Sequence, residues 1–212
     1  MEEYQVLTNL PKDNYFGTWE KKDVRAFGKW FMAEKESRMQ MLFDEIHRDP
    51  DFVDWQPDFS PESLKTLGVW FERNMTSEPM SENEYKELVE RYRGMGRVCK
   101  KKMTQKAESL NFDVAIYVGE VLLHVLGDRE WEQYIYVSKN NLDYGYMSIP
   151  VIPAPKHKWT ITPWRRVRTL GARVIYYQSY KKEDLYNTFV IALESLKTEL
   201  LKLPSNKETP NN

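Results

Sequence analysis

The stretch Phe112–Leu126 reads FDVAIYVGEVLLHVL, and all but four of its residues are apolar or glycine. A run of this kind without proline predicts a buried α-helix over residues 112–126, at the centre of the fold. Gly127-Asp128 follows directly and is typical of a helix end. The most apolar part, residues 114–126, is 13 residues long. A membrane-spanning helix needs roughly 20 apolar residues, so we expect a core helix and no membrane span.

Four polar side chains interrupt this helix at spacings of four, three and four, namely Asp113, Tyr117, Glu120 and His124. At about 100° per residue they fall within a strip roughly 40–60° wide. The simplest interpretation is that the strip is the edge of the helix that reaches water.

Two other interpretations of the strip remain open. Glu120 could lie inside the fold and pair with an arginine such as Arg165 or Arg166, because an unpaired buried carboxylate is costly. Alternatively the strip lines a pocket, in which Glu120 and His124, one helical turn apart, share a metal ion or a proton. No second histidine or carboxylate pair has the spacing to complete such a site. We therefore assign no catalytic residue, metal ligand or cofactor.

A second candidate site is the basic, tryptophan-bearing stretch at residues 156–173. Its candidate anion-binding or partner-binding residues are Lys158, Trp159, Trp164, Arg165, Arg166 and Arg168. Basic side chains neutralise phosphates and aromatic rings stack on bases, so nucleic-acid binding is one interpretation. Nucleic-acid-binding proteins usually carry a positive balance, whereas this chain has 31 basic and 32 acidic residues. We expect a solvated helix face instead, and no nucleic-acid partner.

The near-neutral total hides a strong separation of charge along the chain. Residues 1–90 carry 20 acidic and 11 basic side chains, and residues 91–182 carry 7 acidic and 17 basic ones. Either the two halves face each other or one of them presents a charged surface to a partner.

The remaining patterns predict a helix-dominated α+β protein. Apolar residues recur at helical spacing from near Lys22 to a stop before Asp49-Pro50, and again after Ser60-Pro61 until near Asn74. Between these two helices, residues 51–59 form a loop that carries Phe52, Trp55 and Phe59. Ser81 and Glu84 form a capping box that starts a further helix.

In the second half, aromatic and β-branched runs predict an antiparallel hairpin, 131–137 with 144–152, packed on the central helix. Thr162-Pro163 starts another helix, and residues 172–178 fit either its continuation or a third strand. Residues 184–203 predict the last helix, and residues 204–212 a disordered tail. Residues 1–203 therefore form a single globular domain, with an acidic helical half (1–90), a basic α+β half (91–182) and the C-terminal helix.

Cysteine content and the start of the chain bear on the compartment. Cys99 is the only cysteine, which excludes an intramolecular disulfide and a cysteine-rich zinc site. The first residues are acidic and lead to Pro11, unlike the basic and then apolar start of a signal peptide. We expect a cytoplasmic protein.

The segment Asp113-Val-Ala-Ile-Tyr117-Val-Gly119-Glu120, with Trp131 and the hairpin that ends at Pro150, resembles a group of uncharacterised bacterial proteins, particularly from Gram-positive species. The resemblance covers about residues 105–175. It implies a small cytoplasmic α+β domain of bacterial origin and carries no mechanism.

Three functions are compatible with these patterns. The first is binding to a protein partner, which segregated charge and abundant aromatic residues favour; an immunity or antitoxin-like role is one form of it. The second is a small-molecule hydrolase or metal-dependent enzyme that uses Glu120 and His124. The third is a nucleic-acid-binding module that uses residues 156–173. We expect the first, while the sequence leaves the partner and the oligomeric state open.

Overall fold

The computed structural model describes residues 3–8, 21–91, 99–127, 129–137, 143–150 and 160–201. In chain order its elements are α1 (Lys21–His47), a short 3₁₀ turn (Pro50–Phe52), α2 (Ser63–Asn74), β1 (Ser77–Pro79), α3 (Glu82–Arg91), β2 (Lys101–Met103), α4 (Gln105–Leu126), β3 (Glu132–Val137), β4 (Asp143–Pro150), β5 (Thr160–Ile161), α5 (Pro163–Ala172), a π-helical turn (Arg173–Tyr177) and α6 (Asp184–Leu201). The described part of the chain is thus helix-dominated and carries small antiparallel sheets, as the α+β prediction requires.

Helix α4 occupies the centre of the fold. Nearly all of its residues from Ala107 to Leu122 are buried, and it packs against α1, α2, α5 and α6. The helix starts at Gln105, seven residues before the predicted start, because the Thr104 side chain caps it by accepting a hydrogen bond from the Ala107 amide at 3.2 Å. The apolar pattern did not indicate this start because the first turns of the helix are polar.

The C-terminal end of α4 depends on a glycine. Gly127 has φ of 74°, a left-handed conformation that residues with a side chain rarely adopt, and its amide donates to the carbonyl of Leu123 at 2.8 Å. By length and composition α4 could cross a membrane, but 72% of its most apolar window is buried inside the fold. That is the arrangement of a core helix.

A single apolar cluster extends from the N-terminal residues to the last helix, from Tyr4 to Ala192. Helix α1 contributes Val24 and Leu42 to it, α5 contributes Val167, and α6 contributes Phe189. The cluster is rich in aromatic rings that meet edge to face, which buries a large area per residue.

The three-stranded sheet has the order β3-β4-β5 and is antiparallel throughout. Glu132 pairs with Ser148 and Val137 with Asp143, while Ile149 pairs with Ile161. The prediction that the hairpin packs on the central helix is wrong in its main contact, because β4 packs against α1, and the central helix is contacted by Trp131 just before β3. Residues 151–152, which the predicted hairpin included, lie outside the described residues.

The third strand is Thr160–Ile161, and residues 173–177 are helical, which decides the alternative left open by the sequence. The π-helical turn continues α5 and ends at Gln178, which has φ of 48°. The predicted last helix ends at Leu201, and residues 202–212, including the predicted tail, lie outside the described part of the chain.

Two further differences concern the first half. Helix α2 begins at Ser63 rather than at Ser60-Pro61, because Ser60 and Pro61 form a turn in which the Ser60 hydroxyl accepts from the Ser63 amide at 3.2 Å. The capping box is present, with the Ser81 amide donating to Glu84 at 2.8 Å. The ribbon of β1 and β2 has no counterpart in the predictions, since its strands are three residues long.

Candidate functional site

The four polar residues of α4 lie in different environments. Asp113 and Tyr117 are 0% exposed, Glu120 is half-buried and His124 is exposed. The interpretation of the strip as a water-facing edge is therefore wrong for Asp113 and Tyr117. Helix α1, the loop before α2 and the first residues of the chain cover that side of α4.

Asp113 is held by two residues from distant parts of the chain. The Arg38 guanidinium donates to it twice, from Nε to Oδ1 at 2.9 Å and from Nη2 to Oδ2 at 2.6 Å. The Tyr4 hydroxyl donates to Oδ2 at 2.5 Å. Such a bidentate pair with an added donor is what a carboxylate needs in order to stay charged in a core.

The ionisation of this cluster follows from its burial. Burial raises the pKa of Asp113 to about 6, although the hydrogen bonds from Arg38 and Tyr4 act in the opposite direction. Burial also raises the pKa of the Tyr4 hydroxyl far above its usual value, with the Asp113 charge adding to the effect. Burial alone would lower the pKa of Arg38, but its hydrogen bonds to Asp113 outweigh this and raise it. At neutral pH the cluster is an ion pair with a neutral tyrosine.

Tyr117 fixes the loop that precedes α2. Its hydroxyl lies 2.8 Å from the Ser63 hydroxyl and accepts a hydrogen bond from the Phe59 amide at 3.3 Å. Phe59 has φ of 56°, a left-handed conformation that is strained for an aromatic residue. The Tyr117 ring contacts the rings of Phe59 and Trp55, each at a centroid distance of 5.4 Å. The hydroxyl and the ring together stabilise the strained turn.

Glu120 joins α1 to the start of the β3 segment. Its Oε1 accepts from the Lys35 ammonium at 2.9 Å and from the Trp131 indole nitrogen at 2.8 Å. Gly119 makes room for that indole, since a Cβ at this position would lie 2.0 Å from an atom of the Trp131 ring. Glu120 is thus paired, as one interpretation required, but with a lysine of α1 rather than with Arg165 or Arg166.

His124 stands apart from the other three residues of the strip. Its ring lies 6.5 Å from the ring of Phe59, and within the described chain it makes no hydrogen bond to Glu120. Among the described residues, no group of three or more His, Cys, Asp and Glu side chains is placed to hold a metal ion. The strip therefore connects separate segments to α4 and does not bring its four side chains to one point.

The partners on α1 have a signal in the sequence that the predictions did not use. Buried apolar positions of α1 recur at helical spacing, at Val24, Phe27, Phe31, Leu42 and Ile46. Lys35 and Arg38 occupy the gap in this stripe, where apolar residues would continue the pattern. Two cations on a buried face require two anions opposite, and α4 supplies them.

The basic stretch is dispersed in the structure. Lys158 and Trp159 lie outside the described residues. Trp164 is 6% exposed and packs against Phe27 and Phe112, so its ring is part of the core and cannot stack on a base without a rearrangement.

The three arginines of α5 differ in exposure. Arg165 is exposed, and Arg168 is half-buried and donates to Glu108 at 3.4 Å. Arg166 is half-buried, and burial lowers its pKa. Of these three arginines, only Arg165 is exposed.

A small apolar void lies in the core of the described part of the structure. It measures about 10 Å³, no more than a single water molecule needs, and lies among the rings of Phe27, Phe31, Phe112, Trp131 and Trp164. Those rings fill the space between α1, α4 and α5, so this void offers no room for a substrate.

Residues 49–62, named here the acidic loop, form a surface feature that includes the predicted loop 51–59. Phe52 and Trp55 are buried, whereas Asp51, Val53 and Asp54 between and beside them are exposed. The Trp55 indole donates to the Ser63 carbonyl at 3.1 Å. The side chains thus alternate between inward aromatic anchors and outward acids, with Val53 54% exposed among the acids.

The charges of the acidic loop are only partly neutralised. Arg73 pairs with Asp51 at 2.7 Å and with Asp49 at 3.2 Å. Asp54 and Glu62 are exposed and form no ion pair with the described residues. Hydrogen bonds from Ser60 lower the pKa of Asp58, which keeps it ionised. The loop therefore presents a fixed negative surface beside one exposed apolar side chain.

Comparison with protein-family models, with curated proteins and with solved structures gives no match to this chain.

Proposed function

We propose that this chain is a cytoplasmic bacterial protein that acts by binding another protein, and that the acidic loop is its contact surface. The partner has a basic surface with an apolar site for Val53. The observation that carries this proposal is the construction of the loop, in which buried aromatic anchors hold exposed acids in one conformation.

Rigid presentation favours binding for a physical reason. A loop that is already ordered loses little conformational entropy when it docks, so more of its contact energy appears as affinity. Tyr117 and Ser63 supply this order by holding the turn at Phe59. Exposed carboxylates attract a basic partner over a distance and increase the rate of association.

An immunity or antitoxin-like role is the form of this function that we propose. Such a protein binds and blocks a partner, and it needs a preformed and charge-complementary surface rather than reactive groups. The polar residues of α4 fit this role because three of them are engaged in internal hydrogen bonds that fix surface segments. Under the alternative enzymatic proposal, Glu120 would first have to leave Lys35 and Trp131.

The test compares two charge-reversal variants in extracts of the bacterium that encodes the chain. The loop variant carries Asp54→Lys and Glu62→Lys, and the control carries Glu34→Lys and Glu87→Lys, which change the net charge equally at exposed positions of α1 and α3. We expect the wild type and the control to retain one stoichiometric protein that the loop variant loses. Equal recovery of that protein by all three chains, or no stoichiometric protein with any, contradicts the proposal.

A further inference from the structure

The first described residues form an extended segment, residues 3–8, named here the strap. It lies across α1 and α4, inserts Tyr4 into the fold and packs the half-buried Leu7 side chain against the core. Tyr4 is buried, whereas its neighbours Glu3, Gln5 and Val6 are exposed. The strap therefore has one fully buried side chain, Tyr4, one half-buried side chain, Leu7, and an outer side that is open at Glu3, Gln5 and Val6.

The rest of the strap is held by its backbone. The Gln5 carbonyl accepts from Arg38 Nη1 at 2.6 Å. The Leu7 amide donates to the Ser109 hydroxyl at 2.8 Å, and the Leu7 carbonyl accepts from the Gln105 side chain at 2.8 Å. All three partners are side chains of α1 or α4. Main-chain hydrogen bonds combined with one side-chain pocket are the means by which proteins bind extended peptides.

The pocket for Tyr4 selects its hydroxyl as well as its ring. The hydroxyl donates to Asp113 at 2.5 Å and accepts from Arg38 Nη2 at 3.0 Å. The ring lies near the cationic groups of Arg38 and Lys106, at 5.3 and 5.8 Å from its centroid. Phenylalanine could fill the space but would leave Asp113 without one of its donors.

Without the strap, the Arg38–Asp113 ion pair would lose two of its hydrogen-bonding partners, the Tyr4 hydroxyl and the Gln5 carbonyl. Arg38 Nη1 would lose its carbonyl and Asp113 its third donor, at positions that are now 4% and 0% exposed. Buried polar groups of this kind favour a site that is always filled, by the strap or by a segment with the same features.

We propose that this groove is a peptide-binding site for an extended segment that carries a tyrosine, and that the strap occupies it in cis as an exchangeable ligand. The groove is formed by Arg38, Gln105, Lys106, Ser109 and Asp113. It shares no residue with the acidic loop, so its test is independent of the proposed function.

The test uses the full chain and a fluorescent peptide with the sequence of residues 2–10. A tethered strap competes with the free peptide at an effective concentration on the order of millimolar. We expect Tyr4→Ala to weaken the strap, so that this variant binds the peptide at least about tenfold more tightly than the wild type does. The same peptide with its own Tyr4→Phe change binds the variant about tenfold more weakly, because it leaves Asp113 short of a donor. Adding Ser109→Ala to the Tyr4→Ala chain also weakens binding. A Tyr4→Ala chain with native circular dichroism that binds no peptide at millimolar concentration overturns the proposal.

Hydrogen exchange of the wild-type chain decides the question if Tyr4→Ala does not fold. An exchangeable strap opens without unfolding of the core, so the Leu7 amide exchanges at least about a hundredfold faster than the slowest amides of α4. Its exchange also stays independent of low denaturant concentrations. If Leu7 has the same protection and the same denaturant dependence as the α4 core, the strap leaves only upon global unfolding and the proposal is wrong.

Discussion

Arg38 and Asp113 are 75 residues apart in the sequence and form a two-pronged ion pair in the core, with N–O distances of 2.9 and 2.6 Å. The pair joins α1 to α4. Lys35, one turn before Arg38, and Glu120, two turns after Asp113, form a second ion pair between the same helices. Its N–O distance is 2.9 Å and it is half-buried. The packing of α1 on the central helix is thus specified by charge as well as by apolar contacts.

Removing the cation of the buried pair is expected to lower the free energy of unfolding strongly. Arg38→Met leaves the Asp113 carboxylate without two donors, and breaking a buried pair from one side costs about 3–5 kcal/mol. We expect that loss in the free energy of unfolding at pH 7.5, measured with urea, and a smaller loss at pH 5, where Asp113 takes up a proton.

The matched control is Lys35→Met, on the same face of α1. Its partner Glu120 is 19% exposed and keeps the Trp131 donor, so we expect a loss of no more than about 1–2 kcal/mol. Equal losses in the free energy of unfolding for the two variants would show that the buried pair contributes no more to stability than the half-buried one.

The raised pKa of Asp113 predicts a dependence of stability on pH. A carboxyl with a raised pKa binds its proton more tightly in the folded state, so the free energy of unfolding falls as the pH rises through the window between the usual value of 3.8 and about 6. The shift corresponds to about 3 kcal/mol. Tyr4 and Arg38, which face Asp113, do not titrate in this window because both of their pKa values are raised.

Asp113→Asn isolates this contribution from all other carboxyl groups. We expect the free energy of unfolding of the wild type, minus that of the variant, to fall by about 3 kcal/mol between pH 4 and pH 7. Urea titrations at several pH values measure it. A difference that stays constant or rises with pH contradicts the assignment.

At Gly119 we expect steric hindrance to make alanine destabilising, although helix propensity alone would make it stabilising. Alanine is favoured over glycine in a helix by about 1 kcal/mol, but a Cβ here would lie 2.0 Å from the Trp131 ring. We expect Gly119→Ala to lower the free energy of unfolding by about 1–3 kcal/mol and to change the near-ultraviolet circular dichroism of tryptophan.

Gly28→Ala is the control for this substitution within α1. Its Cβ would meet the end of the flexible Gln133 side chain, at 2.5 Å, which can move aside. We expect a change within about 1 kcal/mol, since the gain in helix propensity offsets the disturbed contact. A Gly119→Ala variant as stable as Gly28→Ala would mean that Trp131 does not pack closely on α4.

Tyr117 predicts a local effect on the acidic loop. Tyr117→Phe keeps the ring contacts but removes the hydroxyl that holds Ser63 and the Phe59 amide. We expect the free energy of unfolding to fall by about 1–3 kcal/mol. We also expect the substitution to speed up hydrogen exchange in residues 56–63 more than in α5. Unchanged exchange in these residues would show that other contacts hold the turn.

Much of the fold follows from local patterns in the sequence. The apolar run of α4 and the amphipathic spacing of α1 each reflect burial along one element, which a sequence displays directly. The aromatic and β-branched runs predicted β3 and β4 through strand propensity. The ribbon of β1 and β2 was not predicted because each strand is only three residues long, which is too short to show a period. The first turns of α4 were not predicted because they are polar and begin at a cap.

The candidate site was predictable in part. Helical geometry alone placed Asp113 and Tyr117 on one strip, but their partners are 109 and 54 residues away, at Tyr4 and Ser63. Which segment covers a helix face is a property of the tertiary fold and leaves no local signal. Trp164 shows the same limit, since a ring at the edge of a basic stretch turned out to lie in the core.

Hydrogen-exchange mass spectrometry of the complex tests whether the acidic loop is the contact surface for a protein partner. The chain is compared alone and bound to the protein partner that we propose it retains from a cell extract. We expect slowed exchange upon binding to be concentrated in the acidic loop, residues 49–62. Slowed exchange confined to α5 and the rest of residues 160–173, with the acidic loop unchanged, would contradict this expectation and assign the contact to the basic stretch.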